Sequence, residues 1–268
     1  MPPFLSYEDK NPGVSSRVPL VLVHGHPFDR TMWAPQVTAF CAARRVIAPD
    51  LRGYGASPVT PGTVPPARHA QDIEELLDFL AVDSFVLAGL SMGGQIAMEC
   101  FDRFGDRVRG LVLADTFPDP ETPEGRRGRR AMADRLLAEG MRGYADEVLE
   151  KMVAPYAAPE VKAHVHRMMT ATAPEGAAAS LRGRAERPDY RGLLTTVTVP
   201  ALVVVGADDT YTPVADAEAM HAALPDSVLH VVEGAAHMPN LERAEEFNRV
   251  LEKFLTSVDD RSYARPCD

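Results

Sequence analysis

Residues 85–95 read FVLAGLSMGGQ and join an apolar run to a helical pattern. The apolar run predicts a buried strand, and a helix is expected from Gln95 onward. A G-x-S-x-G pattern between a strand and a helix is typical of a tight turn that lifts a serine hydroxyl clear of the backbone. Side chains at Gly89 or Gly93 would clash in such a turn. Ser91 is therefore a candidate nucleophile, although a glycine-rich turn of purely structural purpose would carry the same pattern.

The rest of the chain alternates short apolar runs with stretches of helical periodicity, which is typical of an α/β fold with a mostly parallel sheet. Runs such as 201–206 are apolar without alternation, so we expect helices to cover both faces of the sheet. We predict strands at Val18–His24, Arg45–Pro49, Ser84–Leu90, Arg109–Ala114, Ala201–Gly206 and Val228–Val232. We predict the covering helices at Ala34–Ala43, Ala67–Ala81, Gly93–Phe104, Pro213–Leu224 and Leu241–Leu255.

The segment from residue 117 to residue 187 breaks this alternation. It contains no strand-like run, only helical patterns interrupted by proline and glycine, for example at Arg130–Leu137, Tyr144–Val153 and Ala158–Met169. Strands and helices alternate again after it. We therefore predict an α/β core formed by residues 1–116 and 188–268, with residues 117–187 inserted as a helical cap that forms one structural unit with the core.

A serine hydroxyl becomes an effective nucleophile only when a base takes its proton and a further group orients that base. The turn around Ser91 predicts the chain order serine, acid, histidine. His237 lies in a loop between a predicted strand and a predicted helix, so it is free to reach Ser91 and is the candidate base. Asp208 and Asp209 follow the strand 201–206, at the edge where α/β proteins place their sites, and either one is a candidate for the acid.

The end of the first predicted parallel strand carries a further motif, His24-Gly25-His26-Pro27. A glycine in this position lets the chain turn so that a main-chain N–H points at a substrate carbonyl. The backbone N–H groups of His26 and Met92 are therefore the candidate oxyanion hole. We expect the His26 side chain to line the pocket rather than to take part in the chemistry.

Composition argues against several classes of partner. The 268 residues carry a net charge of −10, which disfavours binding to nucleic acid or to an anionic membrane surface. No apolar run approaches the roughly 20 residues that a membrane-spanning helix needs, and the first residues do not resemble a signal peptide. The three cysteines, Cys41, Cys100 and Cys267, lack the spacing of metal ligands. We expect a cytoplasmic protein that needs no metal and no cofactor.

These motifs together resemble the α/β-hydrolase family. The match rests on the turn at His24–Pro27, DLRGYG at 50–55 followed by Ser57, GLSMGG at 89–94, GADDTYTP at 206–213 and GAAHMPNLE at 234–242. The motifs span most of the chain in the family's order. Within the family, the chain most resembles the group of 3-oxoadipate enol-lactonases, carboxylesterases and cofactor-free haloperoxidases.

The resemblance implies roles for particular residues. It selects Asp209 over Asp208, because the family's acid lies four residues before the proline. It also implies that His24 helps to hold its loop and that Arg52 braces a turn. The family usually opens with a β-hairpin, whereas here only Phe4–Glu8 precedes the first parallel strand with strand-like character, so the sheet is expected to be a strand short. Relatives with a carboxylate nucleophile, such as haloalkane dehalogenases and epoxide hydrolases, are disfavoured by the serine in the turn.

The expected function is hydrolysis of a small carboxylic ester or lactone through an acyl-enzyme. The same three residues also suit carbon–carbon bond hydrolysis, a perhydrolysis or haloperoxidase-type reaction, or a biosynthetic cyclisation. A non-catalytic ligand receptor on the same fold is a further alternative. The candidate pocket residues are Phe28, Tyr144, Met152 and Met238.

Arginines are concentrated in the predicted cap. We interpret those at 126–130 as a solvated helix face rather than as a site that recognises an anionic substrate. The same two interpretations apply to Arg182, Arg184 and Arg187. Either cluster would suit a lactone that carries a carboxylate. The sequence decides neither this question nor the oligomeric state.

Overall fold

Seven strands form a single sheet in the structure, a computed structural model that describes residues 4–11, 13 and 16–263. Cys267 lies outside the described residues. The strands are β1 (Tyr7–Lys10), β2 (Leu20–Val23), β3 (Val46–Pro49), β4 (Phe85–Leu90), β5 (Val108–Ala114), β6 (Ala201–Gly206) and β7 (Ser227–Val232). Their order is β1-β3-β2-β4-β5-β6-β7, with β1 antiparallel to β3 and the other neighbours parallel. The carboxyl ends of the parallel strands therefore meet at one edge of the sheet.

Helices flank this sheet on both sides. Along the described residues they are α1 (Ala34–Phe40), α2 (Pro66–Phe79), α3 (Met92–Phe104), α4 (Pro123–Glu139), α5 (Arg142–Met152), α6 (Pro159–Ala171), α7 (Pro174–Arg184), α8 (Arg191–Leu194), α9 (Val214–Ala223), α10 (Pro239–Glu242) and α11 (Ala244–Tyr263). None of them is both long enough and apolar enough to cross a membrane.

Alternate residues of the central strands enter two separate hydrophobic clusters. Leu20 and Leu22 of β2 pack with side chains of α1 and α11 on one face. Val21 and Val23 pack with α2, α3 and α9 on the other face. Because successive side chains of a strand point to opposite faces, this division means that both faces are covered. The α/β fold class with a mostly parallel, doubly covered sheet is confirmed.

The two outer strands differ from the sequence-based expectation. In β7, Val228 is 58% exposed, because this strand forms one border of the sheet and helices cover it incompletely. β1 begins at Tyr7, three residues after the expected start at Phe4. Phe4 instead lies against the guanidinium of Arg52, whose carbon is 3.7 Å from the ring centroid.

The predicted central strands agree with the observed strands to within two residues at each end, whereas the last predicted helix is wrong in its bounds. It is divided at Arg243 into α10 and α11, and α11 continues to Tyr263 rather than ending at Leu255. The extension follows from the apolar spacing, since Val258 is still buried against the sheet.

Residues 117–187 contain four helices, and three of them include, to within one residue, the stretches given above as examples. The additional helix is α7, whose sequence PEGAAASLRGR consists largely of small residues. Nearly all of its middle residues are buried, so it has no polar face to reveal a helical period. Helices α4 and α7 share their own hydrophobic cluster, whereas α5 and α6 join the cluster of the sheet.

Several hydrogen bonds connect this segment to the core, among them two near the carboxyl edge of the sheet. The Thr172 hydroxyl donates to the carbonyl oxygen of Pro27 at 2.9 Å, and the Ala154 N–H donates to the Glu242 carboxylate at 2.7 Å. Pro27 lies in the loop after β2, and Glu242 ends the short helix α10, which follows β7. The division into a core and an inserted cap stays a prediction.

Candidate active site

Ser91 lies at the turn between β4 and α3 with a backbone that few side chains tolerate. Its φ angle is +58°, in the left-handed region. A Cβ atom on Gly93 would lie 2.2 Å from the carbonyl oxygen of Val23, and one on Gly89 would lie 2.2 Å from that of Gly93. The glycines are therefore required by close approach of the backbone, and the turn presents the serine hydroxyl at the carboxyl edge of the sheet.

His237 connects Ser91 to a carboxylate. Its Nε2 lies 2.9 Å from the Ser91 hydroxyl, and its Nδ1 lies 2.7 Å from Oδ2 of Asp209. The imidazole and the carboxylate are buried, at 3% and 5% exposure, whereas Ser91 is half-buried. The structure thus brings the three predicted residues within hydrogen-bonding distance, with Ser91 as the most exposed of them.

The Asp209 carboxylate is held by donors from its own loop. Oδ1 accepts from the N–H groups of Tyr211 at 2.8 Å and Thr212 at 3.2 Å, and Oδ2 also accepts from the Thr212 hydroxyl. Burial by itself raises the pKa of Asp209, but the charge and hydrogen bond of His237, together with these donors, outweigh it and lower the pKa below its ordinary value. Asp209 therefore stays ionised and accepts a hydrogen bond from His237.

The neighbouring acid Asp208 points elsewhere. Its side chain is exposed and accepts a hydrogen bond from the Tyr156 hydroxyl. A one-residue step along the loop thus separates a solvent-facing carboxylate from the one that contacts His237. The geometry agrees with the choice of Asp209 that the resemblance implied.

The predicted oxyanion donors lie on either side of Ser91. Met92 is the first residue of α3, so its N–H belongs to the helical turn whose donors have no partner within the helix. The loop that precedes His26 lies close to the nucleophile, since a Cβ atom on Gly25 would be 3.2 Å from that of Ser91. These positions are compatible with the predicted roles of the His26 and Met92 amides.

The His26 side chain is a buried, neutral imidazole. Its Nδ1 lies 2.8 Å from the Tyr54 hydroxyl, and its Nε2 has no hydrogen-bond partner among the described residues. Burial, followed by the positive charges of Arg184 and Arg129, lowers the pKa of His26 well below its ordinary value. The nearby His24 fastens its loop, because its Nε2 accepts from the Leu51 N–H at 2.9 Å.

Comparison with known proteins identifies the family to which this chain belongs. The family model described as the alpha/beta hydrolase family matches residues 20–250. The chain belongs to the α/β-hydrolase family. This α/β-hydrolase is similar to a thermophilic esterase from Thermogutta terrifontis, solved with malate bound, at 38% identity over 95% of this chain and 94% of that one, with a TM-score of 0.92.

Two enol-lactonases are also similar to this α/β-hydrolase. The enol-lactonase from Burkholderia xenovorans LB400 is 29% identical over 94% of this chain and 96% of that one, with a TM-score of 0.86. The 3-oxoadipate enol-lactonase 2 of Acinetobacter baylyi is 27% identical over 90% of this chain and 89% of its own length. The predicted resemblance to the esterase and enol-lactonase group is confirmed.

Asp115 is a site residue that the sequence-based reasoning missed in this α/β-hydrolase. It follows β5, at the same edge of the sheet as Asp209, and is 1% exposed. Its Oδ1 accepts from the Gly206 N–H at 2.9 Å, and its Oδ2 has no hydrogen-bond partner within the described residues. Its position after a core strand is the signal that would have identified it, since the same signal pointed to Asp209.

Asp115, Asp209 and His237 each place a ligand atom within 4.8 Å of the others, a spacing that suits a cation. However, the Nδ1 of His237 is engaged with Asp209 at 2.7 Å, so a cation would have to displace that hydrogen bond. Burial, and then the charge of Asp209, raise the pKa of Asp115 well above its ordinary value. We therefore assign a protonated Asp115 beside an ionised Asp209, and independence from metals stays a prediction.

The four predicted pocket residues have different surroundings. Phe28, Met152 and Met238 belong to the large hydrophobic cluster and are at most 5% exposed, so packing accounts for their apolar character. Tyr144 is half-buried, and its ring centroid lies 6.4 Å from that of His26. Tyr144 thus packs against a side chain of the candidate oxyanion loop, and the lining role of all four residues stays a prediction.

The four arginines at 126–130 divide into two groups. Arg126, Arg127 and Arg130 have side chains that are 43–69% exposed and form surface ion pairs with Glu124 or Glu186. Arg129 is turned inward at 22% exposure, where it pairs with Glu121. A solvated helix face therefore describes the first three and is wrong for Arg129.

Proposed function

We propose that this α/β-hydrolase cleaves a small carboxylic ester or lactone through an acyl-enzyme on Ser91. The observation that carries the proposal is the continuous chain of hydrogen bonds from the half-buried Ser91 hydroxyl through His237 to the ionised Asp209. The similarity to esterases and enol-lactonases supports the same reaction type.

In the first half-reaction, His237 Nε2 takes the Ser91 proton as Oγ attacks the substrate carbonyl. Asp209 holds the Nδ1 proton and stabilises the positive charge that develops on the imidazole. The N–H groups of His26 and Met92 would bind the oxyanion, and each donor of this kind contributes about 3–4 kcal/mol to transition-state stabilisation. His237 then gives its proton to the leaving alcohol oxygen, which in a lactone stays attached to the acyl group.

In the second half-reaction, water takes the position of the alcohol. His237 removes a proton from the water as its oxygen attacks the acyl carbonyl, and the tetrahedral intermediate collapses with return of the proton to Ser91. The products are a carboxylic acid and regenerated enzyme. No cofactor enters either step, in keeping with the expected small-molecule substrate as the only partner of the reaction.

The test compares Ser91→Ala with Ser84→Ala. Ser84 is also half-buried but lies at the opposite end of β4. With nitrophenyl esters and simple lactones as substrates, we expect kcat/KM to fall at least about 10⁴-fold in Ser91→Ala and to stay at the wild-type value in Ser84→Ala.

A fluorophosphonate probe should label the wild-type enzyme and Ser84→Ala, but not Ser91→Ala. Retention of ester hydrolysis by Ser91→Ala would rule out the proposed nucleophile. If the wild-type enzyme is labelled but cleaves only a β-diketone, its reaction is carbon–carbon bond hydrolysis and the ester proposal is wrong. If the wild-type protein is not labelled at all, the result favours a non-catalytic ligand receptor.

A further inference from the structure

A row of buried polar side chains leads from the candidate oxyanion loop into the protein interior. Nδ1 of His26 lies 2.8 Å from the Tyr54 hydroxyl, which also forms a hydrogen bond with the Ser180 hydroxyl. Oγ of Ser180 in turn lies 3.2 Å from Nε2 of His69. All four residues are at most 4% exposed. These four residues form what we call the polar chain.

The polar chain joins parts of the fold that are distant in sequence. Two of its members lie in the loops after β2 and β3, one lies in α7 and one lies in α2. Helix α7 approaches the loop after β3 very closely, since a Cβ atom on Gly53 would lie 2.8 Å from Cα of Gly176. Gly176 is one helical turn before Ser180, so the way α7 packs on this loop sets the position of the Ser180 hydroxyl relative to Tyr54.

The members of the polar chain are uncharged at neutral pH. Burial lowers the pKa of His26 well below its ordinary value and that of His69 to about 3, and it raises the pKa of Tyr54. The three contacts need three protons, and the two hydroxyl groups supply only two, so at least one imidazole N–H must point into the chain. Hydrogen bonds in such a row polarise one another, so the loss of one member weakens the bonds of its neighbours.

His26 is the member of the polar chain that belongs to the candidate active site. Its backbone N–H is the candidate oxyanion donor, and a Cβ atom on the preceding Gly25 would lie 3.2 Å from that of Ser91. The Gly25 carbonyl, in the same planar peptide unit as this N–H, accepts from the Phe28 N–H at 3.1 Å and lies 2.8 Å from Nδ1 of His24. The loop therefore holds the peptide at its carbonyl group, and the polar chain holds the same residue by its side chain.

An oxyanion donor stabilises the transition state fully only when it is aligned with the developing charge, and a displacement of about 1 Å lowers the rate about 100-fold. We propose that Tyr54 and Ser180 are positioning residues for the oxyanion hole, which act through the His26 side chain and thereby couple the packing of α7 to turnover. This inference rests on the proposed function, in which the His26 N–H binds the oxyanion.

The test removes one hydroxyl group and measures the transition state separately from the ground state. An alkyl trifluoromethyl ketone adds to the Ser91 oxygen and forms a hemiketal whose negatively charged oxygen occupies the oxyanion hole. For Tyr54→Phe, we expect kcat for a nitrophenyl ester to fall about 10- to 100-fold and the inhibition constant of the ketone to rise by the same factor, with KM unchanged. Ser180→Ala should change both quantities in the same direction, by a smaller factor.

Tyr190→Phe is the matched control, because Tyr190 is also buried but its hydroxyl donates to Glu99 at 2.6 Å. It should keep the wild-type kcat and inhibition constant. His26→Phe removes Nδ1 but keeps an aromatic ring and the backbone N–H, so Tyr54→Phe should cause no further loss of kcat in that background. Additive losses, or a fall in kcat without a rise in the inhibition constant, would overturn the proposal. If Tyr54→Phe does not fold, as judged by circular dichroism, Ser180→Ala is used for the same comparison.

A spectroscopic measurement separates this proposal from the proposed function, since the ¹⁵N chemical shifts of the imidazoles in the free protein do not depend on turnover. Ser180 bonds to Tyr54 and to His69, so a change in the His26 ring shifts in Ser180→Ala reports transmission along the polar chain. Tyr190→Phe should leave these shifts at their wild-type values. Unchanged His26 shifts in Ser180→Ala, in an enzyme that hydrolyses esters, would overturn the coupling and leave the hydrolase proposal intact. Transmitted shifts in a protein that hydrolyses no ester would refute the hydrolase proposal and support the coupling of α7 to His26.

Discussion

At the scale of single residues, Asp115 and Asp209 show how one site keeps two adjacent carboxyl groups in different states. Asp209 receives donors from Tyr211, Thr212 and His237 and has a lowered pKa. Asp115 has one backbone donor, from Gly206, and a raised pKa. Burial and then the charge of Asp209 raise the pKa of Asp115, whereas at Asp209 the charge of His237 and the larger number of donors outweigh burial. A neutral Asp115 leaves the negative charge on the group that faces the imidazole.

The pH dependence of stability tests the state of Asp115. The folded protein keeps the Asp115 proton at pH values where the unfolded chain has released it. Its stabilising contribution is therefore complete below the unfolded pKa and declines as the pH rises toward the folded pKa. Asp115→Asn removes this titration. Above about pH 4, the free energy of unfolding should therefore decline less steeply with pH in the variant than in the wild type, and the two slopes should differ by up to about 1.4 kcal/mol per pH unit.

Urea unfolding of the wild type and Asp115→Asn, followed by circular dichroism from about pH 5 to about pH 8, measures this difference. Asp208→Asn is a suitable control because Asp208 is exposed in the next loop along the edge. Parallel pH profiles for all three proteins would mean that Asp115 is ionised in the folded state.

The two neighbouring acids allow a matched test of the His237 partner. In Asp209→Asn, the imidazole loses both the charge that stabilises its protonated form and the acceptor that sets its tautomer. We expect kcat for a nitrophenyl ester to fall about 10⁴-fold. Asp208→Asn changes a carboxylate that accepts a hydrogen bond from the Tyr156 hydroxyl, and its kcat should equal that of the wild type. Equal losses in the two variants would remove Asp209 from the proposed mechanism.

At the scale of elements, α7 is held against the core by backbone contacts rather than by an apolar stripe. A Cβ atom on Gly183 would lie 1.8 Å from the carbonyl oxygen of Val64, and the Val64 N–H donates to Ala179 of the helix at 3.0 Å. The loop before α2 therefore touches the backbone of α7 directly. This contact fixes the end of α7, where Arg184 lies.

Gly183→Ala should destabilise the protein by about 1–3 kcal/mol, because the added methyl group meets backbone atoms that must shift. Gly128→Ala is the matched control in the neighbouring helix α4, where nothing lies within 4 Å of the new Cβ atom. It should stabilise the protein by about 0.5–1 kcal/mol through helix propensity. Chemical unfolding measures both. A neutral Gly183→Ala would show that α7 does not pack tightly on this loop.

At the scale of the whole molecule, a buried ion pair fastens the last helix to the beginning of the parallel sheet. Nη2 of Arg44 lies 2.9 Å from Oδ2 of Asp259, and Nη1 donates to the carbonyl oxygen of Val18 at 2.7 Å. The N–H of Val18 in turn donates to Asp259 at 3.1 Å. Residues more than 200 positions apart are thus joined in one network.

Asp259→Ala should lower the free energy of unfolding by about 3–5 kcal/mol, since it leaves the Arg44 guanidinium buried without its partner. Asp260→Ala changes the adjacent, exposed residue and should stay within about 0.5 kcal/mol of the wild type. Urea denaturation gives both values. A small effect of Asp259→Ala would mean that water reaches Arg44 and replaces the carboxylate.

The sequence by itself determined the features that depend on local pattern. Apolar runs with turn residues at their ends placed the central strands, and the GLSMGG turn identified Ser91 because its glycines are required within a few residues of the serine. The positions of His237 and of the acids Asp208 and Asp209 after core strands made them candidates, since the carboxyl ends of parallel strands meet at one edge, and the family resemblance selected Asp209.

Only the tertiary structure decided features that depend on contacts between distant parts of the chain. The helix α7 carries no helical period because its small residues are buried on nearly every side. Gln95 and Arg184 meet although 89 residues separate them, and Asp115 contacts Gly206 across 91 residues. Their burial and charge balance depend on how the helices pack over the sheet, which no local pattern records.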